Sequence, residues 1–116
     1  MTDTASLAAL ASRFIETDTV PWIENAPGHK SKVIYYDPKT EMLTIISKLE
    51  PGAGIREHTH EDLEQTYVLE GSFADHDGVC RAGNYVWRRA GSRHDAWTDE
   101  GCLVLAFFLK PNTFFD

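Results

Sequence analysis

The sequence predicts a single all-β domain, a sandwich or barrel of short strands, with one short helix in front of it. After Pro21, runs rich in β-branched and aromatic residues alternate with turns that contain Gly, Pro or Asp, roughly every 8–12 residues. Only one segment, near the N-terminus, has the 3.6-residue period of a helix. A chain of 116 residues is long enough for one domain with its own core and too short for two, so we expect 1–116 to form one domain.

The predicted helix covers about residues 6–16. Leu7, Leu10 and Phe14 lie on one apolar stripe, and Thr19-Val20-Pro21 ends the pattern. An isolated helix of three turns is only marginally stable in water. We therefore expect it to dock outside the barrel through Leu7, Leu10 and Phe14, or on a partner subunit.

The strands follow in order and are separated by turns. Asp37-Pro38-Lys39-Thr40, for example, has proline where a type I turn favours it. The run 103–108 is apolar without alternation, which is typical of a strand that is buried on both sides. Together with the helix stripe it offers more apolar surface than one small barrel needs, so we expect a homodimer. The predicted strands are 32–36, 41–49, 65–69, 85–88, 93–98 and 102–109.

Composition limits the partners of this chain. Eleven Lys and Arg against 18 Asp and Glu give a net charge of −7, which argues against binding to nucleic acid or to an anionic membrane surface. We find no apolar run of membrane-spanning length and no secretory leader. Cys80 and Cys102 have no CxxC spacing, and we expect both to be reduced, as in a cytoplasmic protein. The partner that we expect is a small-molecule ligand or substrate.

Three of the five histidines and one glutamate are spaced like metal ligands. His58 and His60 stand at i and i+2, so on a β-strand both side chains point to one face and can bind one cation. The residues 61–63 can turn the chain so that Glu64 opens the next strand, and His94 begins a later one. Imidazole nitrogens with one carboxylate suit Fe2+, Mn2+, Ni2+, Co2+ or Zn2+, and suit Ca2+ or Mg2+ poorly. We therefore predict one divalent transition metal on His58, His60, Glu64 and His94.

Arg56 is the candidate residue for binding a substrate. It lies two residues before His58 and faces the same interior if the strand extends that far back. A guanidinium there could hold a substrate carboxylate or enolate by two hydrogen bonds. The alternative is an arginine at a strand end that turns out to solvent.

These spacings resemble the two sequence motifs of the cupins, of the RmlC-like jelly-roll type. The first motif consists of a glycine, five residues, HxH, three or four residues, a glutamate, six residues and a glycine. In the segment 52–71 it is matched at every interval by Gly52, His58, His60, Glu64 and Gly71.

The second cupin motif falls on the segment 83–98. Gly83, Gly91 and His94 match it at the right spacing, while Arg89 replaces its proline and Thr98 its asparagine. The replaced positions belong to a turn and a hydrogen bond rather than to the metal ligands. Only residues 72–82 separate the two motifs, as in compact microbial cupins.

The resemblance implies a double-stranded β-helix, the jelly-roll barrel of the cupins, with one short N-terminal helix. The stretch 64–71, with Asp75, Gly78 and 83–88, is similar to the cupin half of ChrR-type anti-sigma factors. It is also similar to cupin dioxygenases that cleave β-diketones or hydroxyacetophenones. Those anti-sigma factors hold their partner with a separate helical region, and this chain offers only 6–16, so we do not expect sigma-factor binding.

Two functions are consistent with this resemblance. The first is a mononuclear non-haem dioxygenase that uses Fe2+ to cleave a small diketone- or hydroxyketone-like substrate, with Arg56 anchoring the substrate charge. The second is a non-catalytic Zn2+-binding cupin that acts as a ligand sensor or regulatory module. Mn2+ and Ni2+ are the other metals that this ligand set accepts.

Overall fold

The structure is a computed structural model that describes residues 13–115, and it confirms the all-β prediction. Each of the six predicted strands is present, and four further strands accompany them. The strands are β1 (Ile23–Ala26), β2 (His29–Tyr36), β3 (Leu43–Leu49), β4 (Gly54–Thr59), β5 (Glu64–Asp75), β6 (Gly78–Arg81), β7 (Tyr85–Arg88), β8 (Arg93–Trp97), β9 (Cys102–Phe108) and β10 (Thr113–Phe114).

The strands form one antiparallel sheet that curls into two layers. Its order is β1-β2-β3-β9-β5-β8-β4-β10, and β6 and β7 also pair with β5. The first half of β5 pairs with β9 and β7, and its second half pairs with β6 and β8. Because β5 belongs to both layers, the two sheets close over each other as the jelly roll that the resemblance implied.

The apolar core lies at one end of the space between the layers. Leu49 pairs with Cys102 across β3 and β9, and both pack in a buried cluster with residues of β5 and β8. At the other end of β9, Phe108 pairs with Glu64. One end of the barrel is therefore sealed by side chains, while the end that holds Glu64 is left for the candidate site. The buried cluster consists of Leu49, Val68, Phe73, Ala96, Cys102 and Val104.

Gly71 marks the point where β5 passes from one layer to the other. Its φ is +74°, and a Cβ built on it would overlap the carbonyl oxygen of Gly101. Gly83 has a φ of +86°, but a Cβ there would meet open space. Glycine is therefore required at the two positions for different reasons. At Gly71 both the left-handed backbone and the lack of space for a Cβ require it, and at Gly83 the left-handed backbone alone requires it.

We expect Gly71→Ala to destabilise the fold far more than Gly83→Ala. A left-handed alanine costs about 1–2 kcal/mol at either position. At Gly71 the added methyl group must also displace backbone, which should bring the loss to about 3–4 kcal/mol. Urea unfolding of the two variants measures the difference, and equal losses would contradict the close approach of β5 to Gly101.

The predicted N-terminal helix does not reach Glu16. Residues 6–12, with Leu7 and Leu10, lie outside the described residues, and 13–16 has no regular secondary structure before a single 3-10 turn at Thr17–Thr19. The Lys32 ammonium donates to the Thr17 carbonyl at 2.7 Å, which holds this segment along β2. Phe14 is 96% exposed, so the expected docking of Phe14 on the barrel is wrong, and its docking on a partner subunit stays a prediction. No helix within 13–115 is long and apolar enough to cross a membrane.

Within one chain the run 103–108 is buried on one side only, and the burial of its other side at a subunit contact stays a prediction. Along β9, Val104 and Ala106 are buried, while Leu105 is partly buried and Phe107 is 42% exposed. An antiparallel sheet with one layer packed against it covers one face only, and β9 follows that rule. The outer face of β9 is therefore apolar and accessible.

An apolar patch on this outer face is where we expect the second copy of a homodimer to pack. Leu105, Tyr67 and Tyr85 are direct neighbours across β9, β5 and β7. Phe107 and Trp87 flank the same row, and Trp87 is 60% exposed. Contiguous apolar patches of this kind are uncommon on monomers. The dimer itself stays a prediction.

Light scattering should give about twice the chain mass of 13.1 kDa at micromolar concentration. The substitution Trp87→Glu should shift the mass towards one chain, because it places a charge inside the apolar patch. Val79→Glu on β6 serves as the matched control, since Val79 is equally exposed, at 55%, but lies on the other layer. A wild-type mass of one chain would contradict the prediction.

Candidate metal centre

Three histidines from two strands meet between the layers. His58 lies near the end of β4, His60 follows that strand, and His94 is directly opposite His58 on β8. Their ring centroids are 4.7–4.8 Å apart in each pair. One ligand nitrogen from each ring lies within 4.8 Å of the others. The structure therefore assembles three of the four predicted ligands into one group.

Two of the rings are held by hydrogen bonds at Nδ1. The Nδ1 of His58 lies 2.8 Å from the carbonyl oxygen of Arg56, and that of His94 lies 3.1 Å from Oδ2 of Asp75. A carbonyl and a carboxylate only accept, so the Nδ1 atoms carry the protons. The Nε2 atoms of both rings then carry the lone pairs that a metal would use.

The third ring, His60, is fully buried and lacks a hydrogen-bond partner at Nδ1. Oε1 of Glu64 lies 2.9 Å from this nitrogen, but not along the direction that a hydrogen bond requires. The other nitrogen of His60 lies 2.8 Å from Nε2 of His94. Glu64 is held on its second oxygen by the Thr66 hydroxyl at 3.0 Å. Glu64 thus adjoins the group through His60.

The charge states of these side chains suit a metal site. Burial lowers the pKa of His58, and burial together with the nearby Arg88 charge lowers the pKa of His94 to about 4. Burial alone would raise the pKa of Glu64, but the contacts with His60 and Thr66 outweigh it and leave the pKa below its usual value. His58 and His94 are therefore neutral and Glu64 is ionised near pH 7, as metal binding requires.

The donor set indicates a transition metal. Nε2 of the buried His60 faces Nε2 of His94 at 2.8 Å, His58 belongs to the same group, and the Glu64 carboxylate lies beside His60. Three imidazoles with one carboxylate suit Fe2+, Mn2+, Ni2+ or Zn2+. The residues present therefore fit the metal that the sequence predicted, with Glu64 adjacent to the three histidines.

Two site residues were missed by the sequence analysis, Asp75 and Arg88. Asp75 ends β5, and its Oδ1 accepts the backbone N–H groups of Asp77 at 2.8 Å and of Gly78 at 3.2 Å. Its Oδ2 faces His94 and forms a salt bridge with Arg88. Arg88 ends β7 and pairs across the sheet with Glu64. Strand alternation could have indicated that Arg88 points inward, because Arg88 lies on the same face of β7 as Val86.

Arg56 lies at the mouth of the site. The register of β4 shifts between Ile55 and His58, so simple alternation does not hold across this segment. Arg56 is exposed, donates to the Phe115 carbonyl at 3.1 Å, and its guanidinium lies 5.0 Å from the Phe114 ring centroid. It still lines the cavity in front of the histidines.

A cavity of about 500 Å³ opens beside the metal group. His58, Glu64, Arg88 and His94 are among the residues that line it. The walls of β3 and β9 are mainly aliphatic and aromatic, and such a cavity suits a small organic molecule. The apolar lining includes Leu43, Ile45, Val104, Ala106, Phe108 and Phe114.

The two departures from the second motif are accommodated locally. Thr98 is almost fully buried, and its hydroxyl donates to the Ser72 carbonyl at 2.6 Å, which ties β8 to β5. The carbonyl of Arg89 accepts the hydroxyl of Ser92 at 2.8 Å and so closes the turn before His94 without a proline. Neither substitution disturbs the placement of the histidines.

Comparisons with known proteins agree with this fold. The family model described as a ChrR cupin-like domain matches residues 11–111. Among curated proteins there is no significant match to the sequence. The fold is similar to an RmlC-like cupin from Ralstonia eutropha, with a TM-score of 0.86, 18% identity, and coverage of 95% of this chain and 76% of that chain.

Two further solved structures are similar to this one. An acetylacetone dioxygenase from Acinetobacter johnsonii has a TM-score of 0.84 and 17% identity, with 92% of this chain and 80% of that chain covered. The complex of Rhodobacter sphaeroides SigE with the anti-sigma ChrR matches with a TM-score of 0.70 and 22% identity, covering 78% of this chain. The match spans only 49% of that chain. At these identities the likeness shows the fold alone.

Proposed function

This chain belongs to the ChrR cupin-like domain family, and we propose that it is a mononuclear non-haem dioxygenase that cleaves a small diketone- or hydroxyketone-like substrate. The observation that carries the proposal is the group of three imidazoles, His58, His60 and His94, beside a cavity of about 500 Å³. The fold likeness to an acetylacetone dioxygenase supports the substrate class. We further propose a cytoplasmic protein, in keeping with two free cysteines.

The ligands would be the three histidines, with Glu64 as the proposed fourth. A divalent ion such as Fe2+ would supply Lewis acidity that favours the enolate form of the substrate and a path for electrons from that enolate to O2. The hydrogen bonds at Nδ1 hold the rings of His58 and His94 in place for that ion. Glu64 lies 2.9 Å from Nδ1 of His60 and lines the same cavity, so a substrate that chelates the ion would bind beside this carboxylate.

The other side chains bind the substrate and exclude water. The apolar walls of β3 and β9, with Leu43, Ile45 and Phe108, cover the carbon skeleton of a small ketone. Arg56 at the mouth is proposed to attract a substrate that carries negative charge. Its contacts with Phe114 and Phe115 keep the guanidinium next to the cavity entrance.

The alternative is a Zn2+-bound ligand sensor, and the ChrR likeness favours it. The family model is that of the ChrR cupin-like domain, and the fold also matches the complex that contains the anti-sigma ChrR. In such a module the same histidines would hold the metal and the same cavity would hold a ligand. No turnover would follow.

Anaerobic purification, metal analysis and oxygen uptake distinguish the two functions. We expect iron at one equivalent, a charge-transfer band when a β-diketone is added under argon, and loss of the band with product release when O2 is admitted. Zinc at one equivalent, with neither a band nor oxygen consumption across a panel of diketones and hydroxyaryl ketones, would favour the sensor.

A further inference from the structure

Arg88 supplies a charged side chain to the cavity wall, next to the proposed metal ligands. Its side chain is only 15% exposed, and the residue lines the cavity together with His58, Glu64 and His94. A cation in this position acts on whatever occupies the cavity beside the metal.

Arg88 is only partly engaged by the protein. One terminal nitrogen forms a salt bridge with Oδ2 of Asp75, the same oxygen that faces His94. Among residues 13–115, Asp75 is the side chain that forms a salt bridge with the guanidinium. No nitrogen of Arg88 belongs to the buried atoms that lack a partner. A guanidinium has five N–H donors in a planar fork. Donors therefore remain for a ligand in the cavity.

The charge of Arg88 indicates the charge of that ligand. A guanidinium stays positively charged in proteins, and the only salt bridge of Arg88 within residues 13–115 uses one of its terminal nitrogens. The remaining N–H groups can donate hydrogen bonds to one oxyanion, as arginine does to a carboxylate. A ligand with a negatively charged oxygen therefore suits the cavity wall at Arg88.

We propose that Arg88 forms a binding subsite for a singly charged oxyanion, such as an enolate or a carboxylate, beside the metal. The inference rests on the proposed function and narrows its substrate class to compounds that bind in their monoanionic form. A β-diketone would bind as its enolate, with its acidic proton released to solvent and one enolate oxygen accepting hydrogen bonds from Arg88. Asp75 fixes the guanidinium from the other side.

The test compares ligand binding in Arg88→Met, Arg88→Lys and Arg81→Met, each loaded with Zn2+ so that no turnover occurs. Arg81 is exposed on β6 and does not line the cavity, so Arg81→Met is the matched control. Isothermal titration calorimetry with pentane-2,4-dione, acetate and the neutral ketone butan-2-one gives the affinities. Repeating the pentane-2,4-dione titration in two buffers of different ionisation enthalpy counts the protons released.

We expect Arg88→Met to weaken pentane-2,4-dione and acetate by about 10- to 100-fold, as for a lost hydrogen bond to a charged group. Arg88→Lys should recover part of the loss, and butan-2-one should bind equally to all variants. Wild type should release one proton for each pentane-2,4-dione bound. Zn2+ affinity should not fall in Arg88→Met, because the substitution removes a positive charge next to the ligands.

Two results would overturn this role. Unchanged anion binding in Arg88→Met would place the anchor elsewhere. If Arg88→Met lowers the affinities for Zn2+ and for the anions by the same factor, Arg88 has a structural role only. If the wild type binds the enolate but consumes no O2 with Fe2+, the subsite stands and the proposed dioxygenase activity fails.

Discussion

Replacing His94 by alanine is expected to abolish stoichiometric metal binding, with a fall in affinity of more than about 100-fold. His94 is one of three imidazoles whose ligand nitrogens lie within 4.8 Å of each other, so its removal leaves two. Its side chain is 13% exposed, whereas His60 is fully buried, so an alanine at 94 disturbs the packing less. Metal analysis after dialysis against one equivalent of Zn2+ or Ni2+ measures the effect.

His76→Ala is the matched control for this loss. The His76 side chain is 73% exposed and pairs with Asp95 on the surface, away from the metal group. It should retain one equivalent of metal, and both variants should keep the far-ultraviolet circular dichroism of the β-sheet. If the double variant His60→Ala/His94→Ala still binds one equivalent, the ligand assignment is wrong. Glu64→Gln in the same assay tests the proposed fourth ligand.

Asp75→Asn is expected to lower metal affinity by about 10- to 100-fold without removing a ligand. The carboxylate accepts the Nδ1 proton of His94 at 3.1 Å and so directs Nε2 towards the other rings. An asparagine can still accept the backbone N–H groups of Asp77 and Gly78, so the hairpin after β5 should remain. The substitution removes the negative charge that favours the metal ion and that pairs with the positive charge of Arg88.

The chain offers a close control for this substitution. Asp95 also accepts a hydrogen bond from a histidine, His76, at 2.9 Å, but the pair is exposed and does not include a predicted ligand. Asp95→Asn should therefore leave metal affinity unchanged. Competition titration with a chromophoric chelator gives both values. Equal affinities in Asp75→Asn and wild type would mean that Asp75 does not position His94.

Local patterns were sufficient for much of the fold. The strand 85–88 was predicted with the bounds that β7 has, and 93–98 and 102–109 differ from β8 and β9 by one residue. Glycine and proline turns delimit these runs, so their ends are encoded locally. The predicted strand 65–69 was too short, because β5 continues through Gly71 to Asp75. Only the second layer, which pairs with that extension, makes the extra residues a strand.

The N-terminal segment and β9 show where local patterns fail. The stripe through Phe14 predicted a helix to Glu16, but a tertiary hydrogen bond from Lys32 to Thr17 holds the following turn along β2. Similarly, the run 103–108 is apolar on both faces, yet only the inner face is covered in the described chain. Amphipathic patterns indicate which surfaces need covering, and they do not indicate what covers them.

For the site, the sequence by itself determined that His58, His60 and His94 belong together, because HxH on a strand fixes one face and the motif spacing supplies the third histidine. Only the tertiary structure decided the surroundings of the group. It placed Arg56 at the mouth, brought Asp75 at the end of β5 against His94, and brought Arg88 at the end of β7 against Asp75. The physical reason is that a ligand motif is set by spacing along the chain, whereas a hydrogen-bonded neighbour is set by which strand ends meet in space. That meeting depends on the register and curvature of the whole barrel.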